Sequence, residues 1–124
     1  MLTVELPFPP ADLFPNRKNG KHWSSTSAIK EKAWGDAYTL THQAVNKYRG
    51  EWYPLTGDVP LTITFCQPDK RHRDADNMLA AMKSQIDGMA TALTVNDKVF
   101  WPITLKRGEV RKGGAVLVEI GAVA

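Results

Sequence analysis

The chain has 124 residues, of which 43% are hydrophobic and 23% are charged, and its 16 Lys and Arg against 13 Asp and Glu give a formal net charge of +3. This length predicts one globular domain with a real core, and the composition argues against a disordered or fibrous protein. No apolar run approaches the roughly 20 residues that span a bilayer, no secretion signal is recognisable, and the one cysteine, Cys66, allows no internal disulfide, so we expect a cytoplasmic protein with no membrane span.

The first half of the chain predicts a strand, a long loop and a helix. Residues 2–6 alternate apolar and polar side chains and end at a proline-rich run. Residues 11–26 have no periodicity and are rich in turn-forming residues, which predicts a loop. From Ser27, a candidate N-cap, to Arg49, small and apolar side chains follow one helical stripe, and Gly50 fits the helix end.

The second half predicts a strand, a helix and two more strands. Residues 59–66 alternate, and Pro60 suggests an edge strand or a first position. Residues 79–93 repeat apolar side chains at helical spacing, with Gly88 as a place where the helix could kink or end early. The two final strands are predicted from alternating apolar residues: Val99, Trp101, Ile103, Leu105, Val116, Val118 and Ile120.

The element order is therefore strand, helix, strand, helix, strand, strand. It predicts an α+β fold for a single domain, residues 1–124, in which two helices pack on a mixed sheet of about four strands.

Basic residues form three clusters at predicted loops and junctions. Local positive fields of this kind attract phosphate backbones. The alternative, which applies to each cluster taken alone, is that basic residues in turns are simply solvated. The clusters are Arg17, Lys18 and Lys21; Lys70, Arg71 and Arg73; and Lys106, Arg107, Arg111 and Lys112.

Asp74 and Asp76 lie where the second predicted strand leads into the second helix. Two carboxylates so close repel each other unless a cation compensates, and Mg²⁺ prefers oxygen ligands. Alternatively, either side chain caps the helix. A third carboxylate, Asp97, follows the helix, which at about twenty residues would be about 30 Å long. Asp97 can reach the first pair only if the helix is shorter or if two subunits share the site.

Residues 68–100, PDKRHRDADNMLAAMKSQIDGMATALTVNDKVF, resemble the signature region of the RusA-type Holliday junction resolvases, with weaker similarity at the LPFPP opening and the late Lys-Gly-Gly turn. Members of that family are small, dimeric, Mg²⁺-dependent endonucleases, often encoded by prophages. The resemblance implies that Asp74 and Asp76 are the paired metal ligands and that Asp97 is the third catalytic aspartate. Asn96 departs from the family pattern, which commonly has two adjacent acids there.

The family also often has a lysine that faces the metal. One pattern places it at Ala80 and another at Lys83. Lys83 shares a helical face with Asp76 and Asp87, and its simpler role is an exposed ion pair with Asp87. His72 is interpreted as a phosphate neighbour, because Mg²⁺ prefers oxygen to nitrogen.

The implied function is resolution of four-way DNA junctions by paired phosphodiester hydrolysis, with Mg²⁺, or Mn²⁺ as its substitute, held by the three aspartates. Symmetric cutting needs two sites, which predicts a homodimer. The DNA-binding residues would be Arg17, Lys18, Lys21, Lys70, Arg71, His72, Arg73, Arg111 and Lys112.

Four aromatic residues would serve the dimer interface or stack on unpaired bases: Trp23, Trp34, Trp52 and Tyr53. Alternatively, Trp34 lies in the core and Trp52 packs beside Pro54. Two other functions stay open. One is a non-catalytic protein that binds branched DNA through the basic clusters after its metal site has decayed, which the amide at Asn96 favours. The other is an RNA nuclease.

Overall fold

The structure, a computed structural model, describes residues 2–15, 23–48 and 57–121. Its strands are β1 (Leu2–Leu6), β2 (Val59–Cys66), β3 (Phe100–Arg107) and β4 (Ala115–Ile120), and its helices are α1 (Trp23–Lys47), α2 (Ala75–Ala81) and α3 (Lys83–Ala92). Short 3₁₀ turns cover Ala11–Leu13 and Asp97–Val99. The strands form one mixed sheet in the order β1-β4-β2-β3, in which β4 is antiparallel to both neighbours and β2 is parallel to β3. The predicted α+β fold is confirmed, with the second predicted helix divided into two.

The core lies on one face of the sheet. Leu61, Ile63 and Phe65 of β2 are fully buried and pair with buried residues of β4, whereas Thr62 and Thr64 point to the other, partly exposed face. Because side chains alternate across a strand, every second residue contributes to the same apolar layer. The helices cover that layer with small and apolar side chains: Ala37, Met78, Met82, Ile86, Met89, Ala90 and Leu93.

Gly88 allows α1 and α3 to pack closely and does not end a helix. A Cβ at Gly88 would lie 2.3 Å from the carbonyl oxygen of Trp34 in α1. The prediction of a kink or helix end at Gly88 is therefore wrong. The interruption comes at Met82, whose N–H donates to the carbonyl oxygen of Leu79 at 3.0 Å, a tighter turn than an α-helix makes.

An irregularity in the pairing of β2 with β3 changes which side chains of β3 face the core. Val59 pairs with Phe100 but Leu61 pairs with Ile103, so β3 holds one extra residue between these pairs. The extra residue reverses which side chains face the core, so Phe100 is buried and Trp101 is 65% exposed. Pro60 lies beside this irregularity in a strand with neighbours on both sides, so the edge-strand alternative is wrong. Pro60 is the second residue of β2, next to the first position that the sequence also allowed.

Helix α1 begins at Trp23, so Ser27 lies inside the helix and the prediction that it is the N-cap is wrong. The predicted stripe is confirmed at Ala33 and Ala37, which are buried. Neither α1 nor any other helix in the described ranges combines the length and apolar character needed to cross a membrane.

Candidate functional site

Asp69 organises the basic loop between β2 and α2. Its Oδ1 accepts hydrogen bonds from the backbone N–H of Arg71 at 3.0 Å and from Nη1 of Arg73 at 2.8 Å, and its Oδ2 accepts from Nε of Arg71 and Nη2 of Arg73, both at 3.3 Å. These bonds, that from Arg73 foremost, hold the pKa of Asp69 far below its usual range. One carboxylate thus fixes two guanidinium groups, and the three side chains together keep a positive charge. Sequence reasoning did not single out Asp69, because an aspartate within a basic run carries no periodic signal.

Arg73, predicted to bind DNA, is partly buried in this loop and stabilises its conformation. Its side chain is only 17% exposed, and its guanidinium lies over the ring of Phe8, 5.4 Å from the centroid. Its carbonyl oxygen accepts from Nη2 of Arg107 at 2.9 Å. In this cluster the exposed cations are therefore Lys70 and Arg71, whose side chains reach solvent where a phosphate could approach.

Asp74 occupies the N-cap position of α2 but does not cap the helix through its side chain. Its carbonyl oxygen accepts from the N–H of Met78 at 3.0 Å, while its carboxylate Oδ1 lies 3.1 Å from Nε2 of His72. The capping alternative is therefore wrong for Asp74. Asp76, in the first turn of α2, is also exposed, so both carboxylates face solvent beside the basic loop.

Lys83 binds two carboxylates from different parts of the chain. Its Nζ donates to Oδ2 of Asp97 at 2.9 Å and to Oδ1 of Asp87 at 3.1 Å. The hydrogen bond to Asp97, followed by that to Asp87, raises the pKa of Lys83, and the bond from Lys83 lowers the pKa of Asp97. The predicted ion pair with Asp87 is confirmed, and the contact with Asp97 adds a residue fourteen positions away. Of the two positions considered for the family's lysine, only Lys83 carries an amine, and it touches an aspartate that the resemblance implies.

The chain reaches Lys83 again by reversing direction at the end of α3. Thr94 has φ 60°, its N–H donates to Thr91, and the N–H of Val95 donates to the carbonyl oxygen of Ala90 at 3.0 Å. This pair of bonds is a Schellman motif. It returns Asp97 to Lys83, at the start of α3, within one chain. The helical segment that the sequence took as about twenty residues is divided into α2 and α3, of 7 and 10 residues.

Asn96 has a local structural role next to Asp97. Its Oδ1 accepts from the N–H of Lys98 at 3.0 Å and caps the 3₁₀ turn that carries Asp97. The amide thus positions the turn that carries Asp97, a capping role that an Asp carboxylate of the same length also fills at helix N-termini.

The three aspartates, Asp74, Asp76 and Asp97, offer the hard oxygen ligands that Mg²⁺ prefers, so the chemical type of these ligands suits the metal. Asp74 and Asp76 lie at the start of α2, whereas Asp97 contacts Lys83 at the start of α3. Within residues 2–15, 23–48 and 57–121, no group of three or more His, Cys, Asp or Glu side chains is arranged to hold a metal ion.

The remaining predicted residues are scattered. Arg111 pairs with Glu5 on β1 at 3.2 Å, and Lys112 is exposed in the turn before β4. Trp34 is 37% exposed and stacks on Tyr38, so it is not a core residue. For the other predicted residues, either the whole residue or its side chain falls outside the part of the chain that the structure describes. These are Arg17, Lys18, Lys21, Trp23, Trp52 and Tyr53.

Comparison with known proteins places the chain in a family. No protein-family model matches it. An uncharacterized protein of Xylella fastidiosa (strain Temecula1) is 35% identical over 123 residues, which is 99% of this chain and 78% of that protein. The chain belongs to the same family as this Xylella protein. Because the match covers nearly the whole chain, the basic loop, both short helices and the turn with Asp97 lie inside the shared region.

Proposed function

We propose that this protein is a Mg²⁺-dependent, structure-specific DNA endonuclease that resolves four-way junctions as a cytoplasmic homodimer. The proposed activity is inferred from the resemblance of residues 68–100 to the RusA-type resolvases. One observation supports it most directly: Lys83 and Asp97, both implied by the resemblance, lie in contact at 2.9 Å although fourteen residues separate them. A chance pair of surface charges on a helix would more commonly lie three or four residues apart.

In this proposal Asp74, Asp76 and Asp97 hold the metal, which when bound would lower the pKa of a water molecule and neutralise charge on the phosphate. Lys83 keeps its Nζ protonated because two carboxylates accept from it. It can therefore offer a positive charge to the phosphate as negative charge develops on the departing oxygen.

The basic loop would bind the DNA backbone in this proposal. Lys70 and Arg71 are exposed, and Asp69 already holds Arg71 in one orientation. A side chain that is ordered before binding loses less conformational entropy when it contacts a phosphate. His72, beside Asp74, would contact the same backbone and connect the binding surface to the paired aspartates.

The test is cleavage of a labelled four-way junction. With Mg²⁺ we expect paired nicks at opposed positions, loss of the nicks in Asp76→Asn, and unchanged junction binding by that variant. Glu31→Gln, which removes an exposed carboxylate on α1, is the matched control and should cleave normally. Intact junctions after incubation of the unmutated protein with Mg²⁺ or Mn²⁺ would refute the endonuclease.

A second candidate is a non-catalytic protein that binds branched DNA. It is favoured by a specific observation, namely that no group of three or more His, Cys, Asp or Glu side chains among the described residues is arranged to hold a metal ion. In this case the basic loop still binds junctions, and the affinity falls steeply with salt, with a log–log slope of about 0.9 per phosphate neutralised. Salt-sensitive junction binding with no cleavage in either metal would select this candidate.

A further inference from the structure

A groove of about 510 Å³ opens between the segment after β1 and the basic loop before α2. We call it the Phe8 groove and define it by Phe8, Phe14, Pro68, Arg71, His72 and Gly113, which lie along its walls. Its volume is in the range of sites that hold small organic ligands, about 300–1,000 Å³. It adjoins the candidate site, because His72 in its wall contacts Asp74.

The floor of the groove is held rigidly around Phe8. The buried side chain of Gln85 donates through Nε2 to the carbonyl oxygen of Pro7 at 2.8 Å and so fixes the residue before Phe8. The ring of Phe8 meets the core ring of Phe65 edge to face, with centroids 6.3 Å apart. Gly114 packs against Phe8 so closely that an added Cβ would lie 2.7 Å from its Cβ. Phe8 is therefore held in place before any ligand arrives.

Phe14 extends the aromatic wall. Its N–H donates to the carbonyl oxygen of Ala11 at 3.1 Å, which closes the 3₁₀ turn that carries the ring. The rings of Phe8 and Phe14 are nearly parallel, at 23° with centroids 6.1 Å apart, and both are only partly buried. Phe8 lies between Phe14 and the guanidinium of Arg73, so the ring face left for a nucleic-acid base is the face of Phe14 turned away from Phe8.

The rim of the groove is cationic. Asp69 is already bound by Arg71 and Arg73, so its negative charge is compensated and a positive charge remains. The side chain of Arg71 is 80% exposed, and His72 lies next to it. An aromatic ring face below the exposed guanidinium of Arg71 complements a base together with its phosphate, whereas an acidic peptide would match Arg71 and leave the ring of Phe14 unused.

We propose that the Phe8 groove binds one unpaired nucleotide of a DNA strand, with its base stacked on the face of Phe14 turned away from Phe8 and its phosphate on Arg71. The inference rests on the proposed function and deepens it, since it gives the protein a means of recognising the unpaired bases at a junction crossover. It requires no metal, because none of the groove residues is a proposed metal ligand.

The first test measures binding to a single-stranded DNA oligonucleotide in EDTA. Phe14→Ala should weaken binding at least about fivefold, the lower limit for loss of one stacked base. Phe14→Tyr should bind like the unmutated protein. Tyr38→Ala, which removes a partly buried aromatic ring on α1 that has no proposed role in binding, is the control and should also leave the affinity unchanged. If Phe14→Ala does not fold, Phe14→Leu keeps an apolar side chain without the flat ring and should show the same weakening.

The second test locates the base. An oligonucleotide with 5-iododeoxyuridine should crosslink under ultraviolet light to a peptide that contains Phe8 or Phe14, as identified by mass spectrometry. Crosslinks confined to other peptides, or unchanged affinity of Phe14→Leu, would overturn the groove assignment.

The two proposals fail differently. If the protein cuts junctions but Phe14→Leu binds DNA normally, the endonuclease proposal stands and the groove proposal is refuted. If DNA crosslinks at the groove but the protein never cleaves junctions, the groove proposal stands and the endonuclease proposal is refuted.

Discussion

Replacement of Gly88 by alanine tests how α1 and α3 hold the candidate site. The new Cβ would lie 2.3 Å from the carbonyl oxygen of Trp34, about 1 Å closer than ordinary van der Waals contact. Its other nearest atoms, the carbonyl carbon of Trp34 and the backbone nitrogen of Tyr38, both lie at 3.2 Å. All three are backbone atoms, so no side-chain rotation relieves the overlap and α1 must move away as a unit.

Two opposing effects set the magnitude. Alanine is favoured over glycine inside a helix by about 1 kcal/mol. Overpacking a well-packed core costs about 1–3 kcal/mol, and the upper end applies because a whole helix must shift. We therefore expect Gly88→Ala to lower the free energy of unfolding by about 2 kcal/mol. Gly35→Ala is the matched control in α1, because nothing lies within 4 Å of its added Cβ. It should raise the free energy of unfolding by about 0.5–1 kcal/mol.

Urea unfolding followed by tryptophan fluorescence gives both values. The two variants should differ by about 3 kcal/mol, which for a domain of this size corresponds to roughly 10 °C in melting temperature. Equal stability of Gly88→Ala and Gly35→Ala would refute the close packing of α1 on α3.

Three further predictions concern buried and charged groups. Thr41→Val should raise the free energy of unfolding by about 1 kcal/mol in urea titrations, because the buried Oγ1 has no hydrogen-bond partner among the described residues. The pKa of Asp69 is lowered on folding, so its stabilising effect is present above the unfolded pKa near 3.8 and is lost only in stronger acid. Asp69→Asn should therefore lower the free energy of unfolding at pH 5 and lower it much less at pH 2. Thermal melts at the two pH values would show this difference. Lys83→Met should raise the pKa of Asp97 in a carboxyl-carbon NMR titration, whereas Lys98→Met should leave it unchanged.

The strands show how far a periodic pattern can be followed. For β1 and β4 the alternation in the sequence matches the burial residue by residue from Leu2 to Leu6 and from Val116 to Ile120, because no extra residue interrupts their pairing. For β3 the same reasoning put Trp101 on one face with Ile103 and Leu105, but the extra residue in β3 leaves Trp101 exposed. A bulge depends on pairing between distant strands, and a single sequence does not display that pairing.

The candidate site was likewise predictable from the sequence only in part. Lys83 and Asp87 were predictable, because residues four apart on a helix are neighbours. The return of Asp97 was open, since it depends on Thr94 at φ 60°, a conformation that usually calls for glycine and that a threonine does not signal. The bonds from Asp69 to Arg71 and Arg73 depend on the conformation of an irregular loop, for which the sequence offers no period to read.

The charge balance of the two parts of the site allows the proposed metal binding and the proposed DNA binding to be tested separately. Around Lys83 two carboxylates outweigh one ammonium, so this cluster repels a phosphate until a cation is added. The basic loop has the opposite balance, because its arginines and Lys70 outnumber Asp69. Junction affinity should therefore depend on the basic loop without metal, whereas a divalent cation should be needed to bring a phosphate to Lys83. Tight junction binding in EDTA that Arg71→Ala leaves unchanged would contradict this division of roles.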